Sequence, residues 1–326
     1  MKTDFSERPT IGVIGTGRVG QTLARLLHTK GYGVLAVYNR TRSTADALAA
    51  IIGCEALDTP EAVVGACDLT LLTVADDAIS EMAGMLANSS PVSLSPKSGT
   101  LTLEDEDAPS TKDSEHRSEI DRAASILEYK AIVHTSGAHS LDSLRPLNAQ
   151  GAMLGSLHPA FPFAHVETAI AGLAGASFAI EADSPILKDW LHDIVGAIGG
   201  YALDVQPEDK ALYHAAMVIA SNYTVTLYAL AERLLSQLDA RPEAIQAALL
   251  GILAPTVANI DSQGIPQALT GPLLRGDVKT IAAHLEALER SNPDIAAAYR
   301  VMARMTYPLV EARGTSTEAI EDLLSE

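Results

Sequence analysis

The chain has 326 residues, 47% apolar and 20% charged, and its 41 Asp and Glu against 23 Lys and Arg leave a net charge of −18. This length and apolar content support two domains with sizeable cores and exclude a chain disordered throughout. The acidic balance, with no Lys/Arg-rich run to offset it, repels phosphate backbones and argues against nucleic acid as a partner.

Residues 1–10 are polar and lack the apolar core of a secretory signal, so a cytoplasmic protein is expected. Cys54 and Cys67 are too few and too irregularly placed for a disulfide framework or a thiolate metal site, and read as small core residues of a reducing compartment. The first apolar run, Thr10-Ile-Gly-Val-Ile-Gly15, reads as a buried strand, and apolar residues then recur at helical spacing over Arg18–Thr29. Val34–Tyr38 reads as a second strand, Ala45–Ile52 as a helix and Leu69–Val74 as another strand, with further strands at Ala131–Thr135, Met153–Leu157, Ser177–Ile180 and Tyr201–Val205. Alternating strands and helices require crossover connections, hence an α/β fold with a mostly parallel, Rossmann-like sheet. Pro91–Arg122 breaks the pattern: Glu104–Arg122 alone holds eight acids against three bases, which reads as a flexible acidic insertion.

From Glu208 onward the spacing is helical throughout. Lys210–Leu238 is expected as one helix of roughly 40 Å, followed by helices over Pro242–Ile260, Val278–Arg290 and Asp294–Ala312. Ala211–Ala231 carries no charged side chain and is long enough to span a bilayer, but His214, Ser221, Asn222, Thr224 and Thr226 interrupt it, which favours a buried helix over a membrane one. The expected domains are 1–206, holding the sheet with the insertion at 91–122, and 207–326, all helical.

Gly15-Thr16-Gly17-Arg18-Val19-Gly20 fits the dinucleotide fingerprint in its required context, after a strand and opening a helix. The first glycine makes the turn, the second admits a pyrophosphate and the third lets helix pack on strand, while the helix N-terminus offers unpaired amides to the phosphates. The second strand ends in Tyr38-Asn39-Arg40-Thr41-Arg42 and has no acid before Asp46. A guanidinium with neighbouring hydroxyls suits a 2′-phosphate, so NADP is expected as the cofactor, bound in part by Asn39, Arg40 and Thr41.

At these residues the chain resembles the NADP-dependent oxidoreductases of the 6-phosphogluconate dehydrogenase-like superfamily, which includes the pyrroline-5-carboxylate and ketopantoate reductases. Asn39-Arg40-Thr41 and the run Leu71–Ile79 are similar to their second- and fourth-strand signatures. More narrowly, His134–Ala138, Leu157-His158-Pro159, Ser221-Asn222-Tyr223 and Leu269–Asp277 resemble a bacterial family that pairs a Rossmann-like domain with a C-terminal domain of unknown function. The resemblance implies a helical C-terminal domain of the 6-phosphogluconate dehydrogenase type, a reductase or dehydrogenase activity, and a cofactor lined also by Val74, Ala75, Asp76 and Ser136. Related dehydrogenases carry a Lys four positions before an Asn on the long helix. If Asn222 is that Asn, Val218 stands in the Lys position and cannot donate a proton.

A hydride transfer needs a proton donor and groups that polarise the reacting bond, and in parallel sheets these collect at the carboxyl ends of strands. His134 and His158 end the fifth and sixth expected strands, and either can handle a proton near neutral pH. On a continuous helix His214 and Ser221 lie within about 20° of one another, with Asn222 about 80° from His214, so Ser221 and Asn222 are expected to orient substrate while a histidine replaces the lysine. Arg275 is a candidate anchor for a substrate carboxylate, and Asp277 is expected to cap the helix after it. His134, His139, His158 and His165 lack the spacing of a zinc site, so no metal is expected. The expected function is hydride transfer to or from a small carboxylate-bearing keto, hydroxy or imine compound. A homodimer through the helix 210–238 is expected from its surplus apolar surface. The alternative is an NADP-binding sensor without turnover.

Overall fold

The structure, a computed structural model, describes residues 8–89 and 126–324, so the acidic insertion expected at 91–122 lies outside the described residues. It divides into two compact units, 1–219 and 220–326. The first contains β1 (Ile11–Ile14), α1 (Arg18–Thr29), β2 (Val34–Tyr38), α2 (Arg42–Ile52), β3 (Glu55–Ala56), α3 (Pro60–Ala66), β4 (Leu69–Leu72) and α4 (Ile79–Ala87). It continues through β5 (Ala131–His134), α5 (Arg145–Asn148), β6 (Met153–Pro159), α6 (Val166–Gly172), β7 (Ser177–Ala182), α7 (Pro185–Ile198), β8 (Tyr201–Asp204) and α8 (Lys210–Ala220).

The eight strands form one sheet in the order β3-β2-β1-β4-β5-β6-β7-β8, parallel throughout except where β7 runs against β6. The chain reverses its direction of travel across the sheet between β1 and β4, which opens a crevice at their carboxyl ends. Residues of β1 and β4 are buried on both faces. Alternate side chains separate into two cores: Ile11, Val13, Leu69 and Leu71 pack with α1 and α7 residues such as Leu27 and Leu191, whereas Ile14, Leu72 and Ile132 pack with Val63 of α3 and Leu86 of α4. The strand pairing also aligns one rung across the sheet, Tyr38, Ile14, Leu72, His134, Ser156 and Glu181.

The expected single helix over 210–238 is two helices. Ser221, at a distorted φ of −106° and ψ of −67°, interrupts the helix, and α9 (Asn222–Leu235) begins after it. The division between units therefore falls at Ile219/Ala220 rather than at Gln206-Pro207, because the first turn of α8 is tied to the sheet through the buried Lys210. The second unit comprises α9, α10 (Pro242–Gln263), α11 (Pro272–Arg275), α12 (Val278–Ser291), α13 (Pro293–Glu311) and α14 (Glu318–Leu324). Ile281, Leu285, Ala303, Ile320 and Leu324 form its main core. Asp277 caps α12 by accepting the Thr280 amide at 3.1 Å. In α10 only Ile245 is buried, and the helix is long and apolar enough by length and composition to cross a membrane.

Candidate active site

The glycine turn shows three different constraints. Gly15 takes φ +101°, and a Cβ there would meet the Thr73 carbonyl at 2.7 Å. At Gly20 a Cβ would run into the Gly15 carbonyl, so α1 approaches β1 this closely only because the position is bare. At Gly17 no atom lies within 4 Å of where a Cβ would stand, and as the N-cap of α1 this glycine offers no side chain to the first amides of the helix. An open space in front of uncapped amides fits a pyrophosphate. Thr16 is buried and its amide donates to Asn39 Oδ1 at 3.1 Å, which ties the turn to the end of β2, while Val19 packs partly buried against the core.

Two arginines follow Asn39, and the structure separates them. Arg42 is ion-paired with Asp46 at 2.7 Å and also with Asp58, whereas Arg40 is exposed and carries no ion pair among the described residues. Thr41 starts α2 as its N-cap. Arg18 points elsewhere, donating to the carbonyls of Phe163 at 3.0 Å and Ala164 at 3.4 Å. Beyond β4, Val74 packs partly buried against the core, while Ala75 and Asp76 are exposed, with Asp76 Oδ2 3.8 Å from His139 Nδ1.

After β5 the chain makes a compact turn. The Ser136 hydroxyl accepts the amides of Ala138 at 3.2 Å and His139 at 3.3 Å, and the Ser136 amide donates to His134 Nδ1 at 3.2 Å. His134 is fully buried, and burial together with the nearby Lys210 charge pushes its pKa down to about 3. It is a neutral imidazole closing the turn, with no exposed surface.

His158 is placed differently. It is half-buried at the end of β6, with Nδ1 2.9 Å from the Tyr213 hydroxyl and its ring edge-to-face with His214 at 6.2 Å. Burial, then the charges of His214 and Lys210, lower its pKa to about 4. Burial raises that of Tyr213. At neutral pH the pair is thus an uncharged imidazole bonded to an uncharged phenol. A methyl at Gly137 would lie 2.8 Å from the His158 ring, so this glycine lets the ring rest on the turn.

Four residues of this cluster escape a reading of the sequence for histidines alone: Tyr213, Lys210, Glu181 and Gly137. Lys210, Tyr213 and His214 stand at i, i+3 and i+4 on α8 and so share a face, and Glu181 is a charge within an otherwise apolar strand. Both are signals the sequence carries. Lys210 is 2% exposed, and its Nζ lies 2.8 Å from the His139 carbonyl, 2.5 Å from Ser156 Oγ and 3.1 Å from Glu181 Oε2. The continuous helix expected to place His214, Ser221 and Asn222 on a shared face is interrupted at Ser221. Ser221 and Asn222 belong to the second unit and are exposed, and the Asn222 carbonyl accepts the Thr226 hydroxyl at 3.3 Å. Arg275 ends α11 in the same unit, exposed and beside Asp277.

A doubly covered, mostly parallel sheet with a glycine turn at its switch point is a dinucleotide-binding fold. Residues 10–120 match the NAD binding domain of 6-phosphogluconate dehydrogenase, and residues 176–306 match a domain of unknown function (DUF2520). The chain accordingly pairs an NAD-binding domain of the 6-phosphogluconate dehydrogenase type with this domain of unknown function. Solved structures share the fold: a protein from Thermotoga maritima is 22% identical, with 94% of this chain and 100% of that one covered at a TM-score of 0.64. A pyrroline carboxylate reductase from Plasmodium falciparum, solved with NADP bound, is 14% identical over 94% and 95% of the two chains, at a TM-score of 0.55. A reductive aminase from Aspergillus terreus, solved with NADPH, is 16% identical over 98% and 92%, at a TM-score of 0.54. No curated protein sequence matches the chain.

Proposed function

We propose that this protein is an NADP(H)-dependent reductase or dehydrogenase of a small keto, hydroxy or imine compound. The observation that carries the reading is the bare space at Gly17 in front of the uncapped α1 amides, with Arg40 exposed at the end of β2. When bound, the nicotinamide supplies or accepts the hydride. The protein's own part is to hold a proton near the reacting carbon: the Tyr213 phenol keeps its proton at neutral pH, the neutral His158, joined to it through Nδ1, orients it, and the proton given up in transfer is regained from solvent. His158 itself is too acidic as an imidazolium to be the main acid at pH 7, so the phenol takes that role.

Support for a carboxylate on the substrate comes from Arg275, whose planar fork suits one. Replacing it by Ala is expected to raise KM with kcat little changed. Apolar side chains exposed on α8 and α9, among them Leu212, Ile219 and Val225, support a homodimer in which a second copy covers them.

The testing experiment is a titration of wild type, Gly17→Ala and Arg40→Ser with NADPH and NADH, with thermal melts alongside. Wild type is expected to prefer NADPH at least about tenfold, a gap of 1.4 kcal/mol, and Arg40→Ser to erase that preference. Gly17→Ala should melt with the wild type, since its methyl meets no protein atom, yet lose NADPH affinity. Equal affinity in wild type and Gly17→Ala would overturn the cofactor site. NADPH binding without turnover over a broad panel of keto acids and imines would instead point to a sensor.

A further inference from the structure

The rung that crosses β5, β6 and β7 places His134, Ser156 and Glu181 side by side on a largely apolar face. Burying a charge there is costly unless it is paired and hydrogen-bonded, and Lys210 answers it from the start of α8. An ammonium has three donors. Three oxygens surround this one, from the turn after β5, from β6 and from β7. Hydrogen-bonded to the His139 carbonyl and Ser156 Oγ, ion-paired with Glu181 and only 2% exposed, Lys210 has almost no surface from which to offer a proton to a substrate.

We propose that Lys210 is a positioning residue that clamps the Gly137–His139 turn to β6 and β7 and so fixes the His158–Tyr213 pair. The inference rests on the reading of that pair as the proton-handling unit. The path is short and physical. Lys210 holds the His139 carbonyl, the Ser136 hydroxyl holds the amides of residues 138 and 139, and Gly137 supports the His158 ring. The same lysine opens the helix that carries Tyr213 one turn on, so both halves of the pair depend on one ammonium. If the lysine is lost the turn is released and the ring can rotate away from the phenol.

Imidazole nitrogen NMR on the 15N-histidine protein, read without any cofactor, tests this. Because Lys210→Met alone leaves Glu181 buried and unpaired, the decisive protein is the double variant Lys210→Met/Glu181→Leu, which removes both charges. Tyr213→Phe assigns the His158 signal by abolishing its Nδ1 bond. Wild type is expected to show one fixed His158 tautomer. The double variant is expected to melt cooperatively yet show averaged His158 nitrogen shifts, and Gly137→Ala to displace the same signal with Lys210 intact. A folded double variant whose His158 shifts match wild type overturns the clamp. If the double variant does not fold, Gly137→Ala with unchanged His158 shifts overturns it equally, because the turn then does not govern the ring. Failure of wild type to bind NADPH would refute the proposed function but leave this spectral result standing, so the two are judged apart.

Discussion

At the scale of single residues, the first unit shows how burial assigns different tasks to similar side chains. His134 and His158 are both strand-end histidines with strongly lowered pKa values, yet one has no exposed surface and the other bonds a phenol. In the unfolded chain each titrates near 6.5. A native histidine that stays neutral while its unfolded counterpart takes up a proton loses stability as pH falls. For His134 this loss runs from about pH 6.5 down to about 3 and amounts to a few kcal/mol. Carboxylates titrate over the lower part of that range as well, so the comparison has to be differential. Denaturant midpoints measured at pH 7.5, 6 and 5 should fall more steeply for wild type than for His134→Gln, and parallel slopes would refute the assignment. The glycines show the same division. The turn is legible in the sequence, and its three positions have separate reasons for lacking a side chain: backbone conformation at Gly15, open space at Gly17 and helix–strand approach at Gly20.

At the scale of elements, hydrophobic periodicity recovers most of what packing decides. Val34–Tyr38 and Arg18–Thr29 match their expected bounds, because a buried apolar run and an amphipathic stripe are strong local signals. Helices α3 and α7 lie outside the expected elements, although Thr59-Pro60 and Ser184-Pro185 each pair a capping hydroxyl with a proline in the first turn. The break at Ser221 is a different case. Apolar residues continue on both sides of it, so periodicity alone has nothing to register. The antiparallel direction of β7 is likewise invisible, since strand direction is set by tertiary pairing. Within the site, residue types that advertise chemistry are legible. The clamp is not, because Lys210, Ser156 and Glu181 meet only once three strands and a helix are assembled.

At the scale of the whole molecule, the second unit has a modest core and a large apolar exterior. Besides the side chains of α9, α10 exposes Leu250, Ile252, Val257 and Ile260. Apolar surface left open to this extent is expected to be covered by a second copy, and light scattering at micromolar concentration should give twice the mass of one 34.2 kDa chain. Replacing Ile252 and Val257 together by Glu should shift that mass toward the single chain while leaving NADPH affinity within about twofold, since both lie outside the unit that carries the glycine turn. A monomeric wild type would refute the dimer.

The match to the domain of unknown function begins at residue 176, inside the sheet and directly before β7. A polypeptide cut there would lose β7 and β8 and present β6 as a bare edge, with a row of unpaired amides and carbonyls and with Ser156 stripped of its lysine. Exposed edges of this kind recruit other chains. A fragment ending at residue 175 should therefore precipitate where one ending at 219 remains dispersed, so that heredity and folding draw the border of this protein in different places.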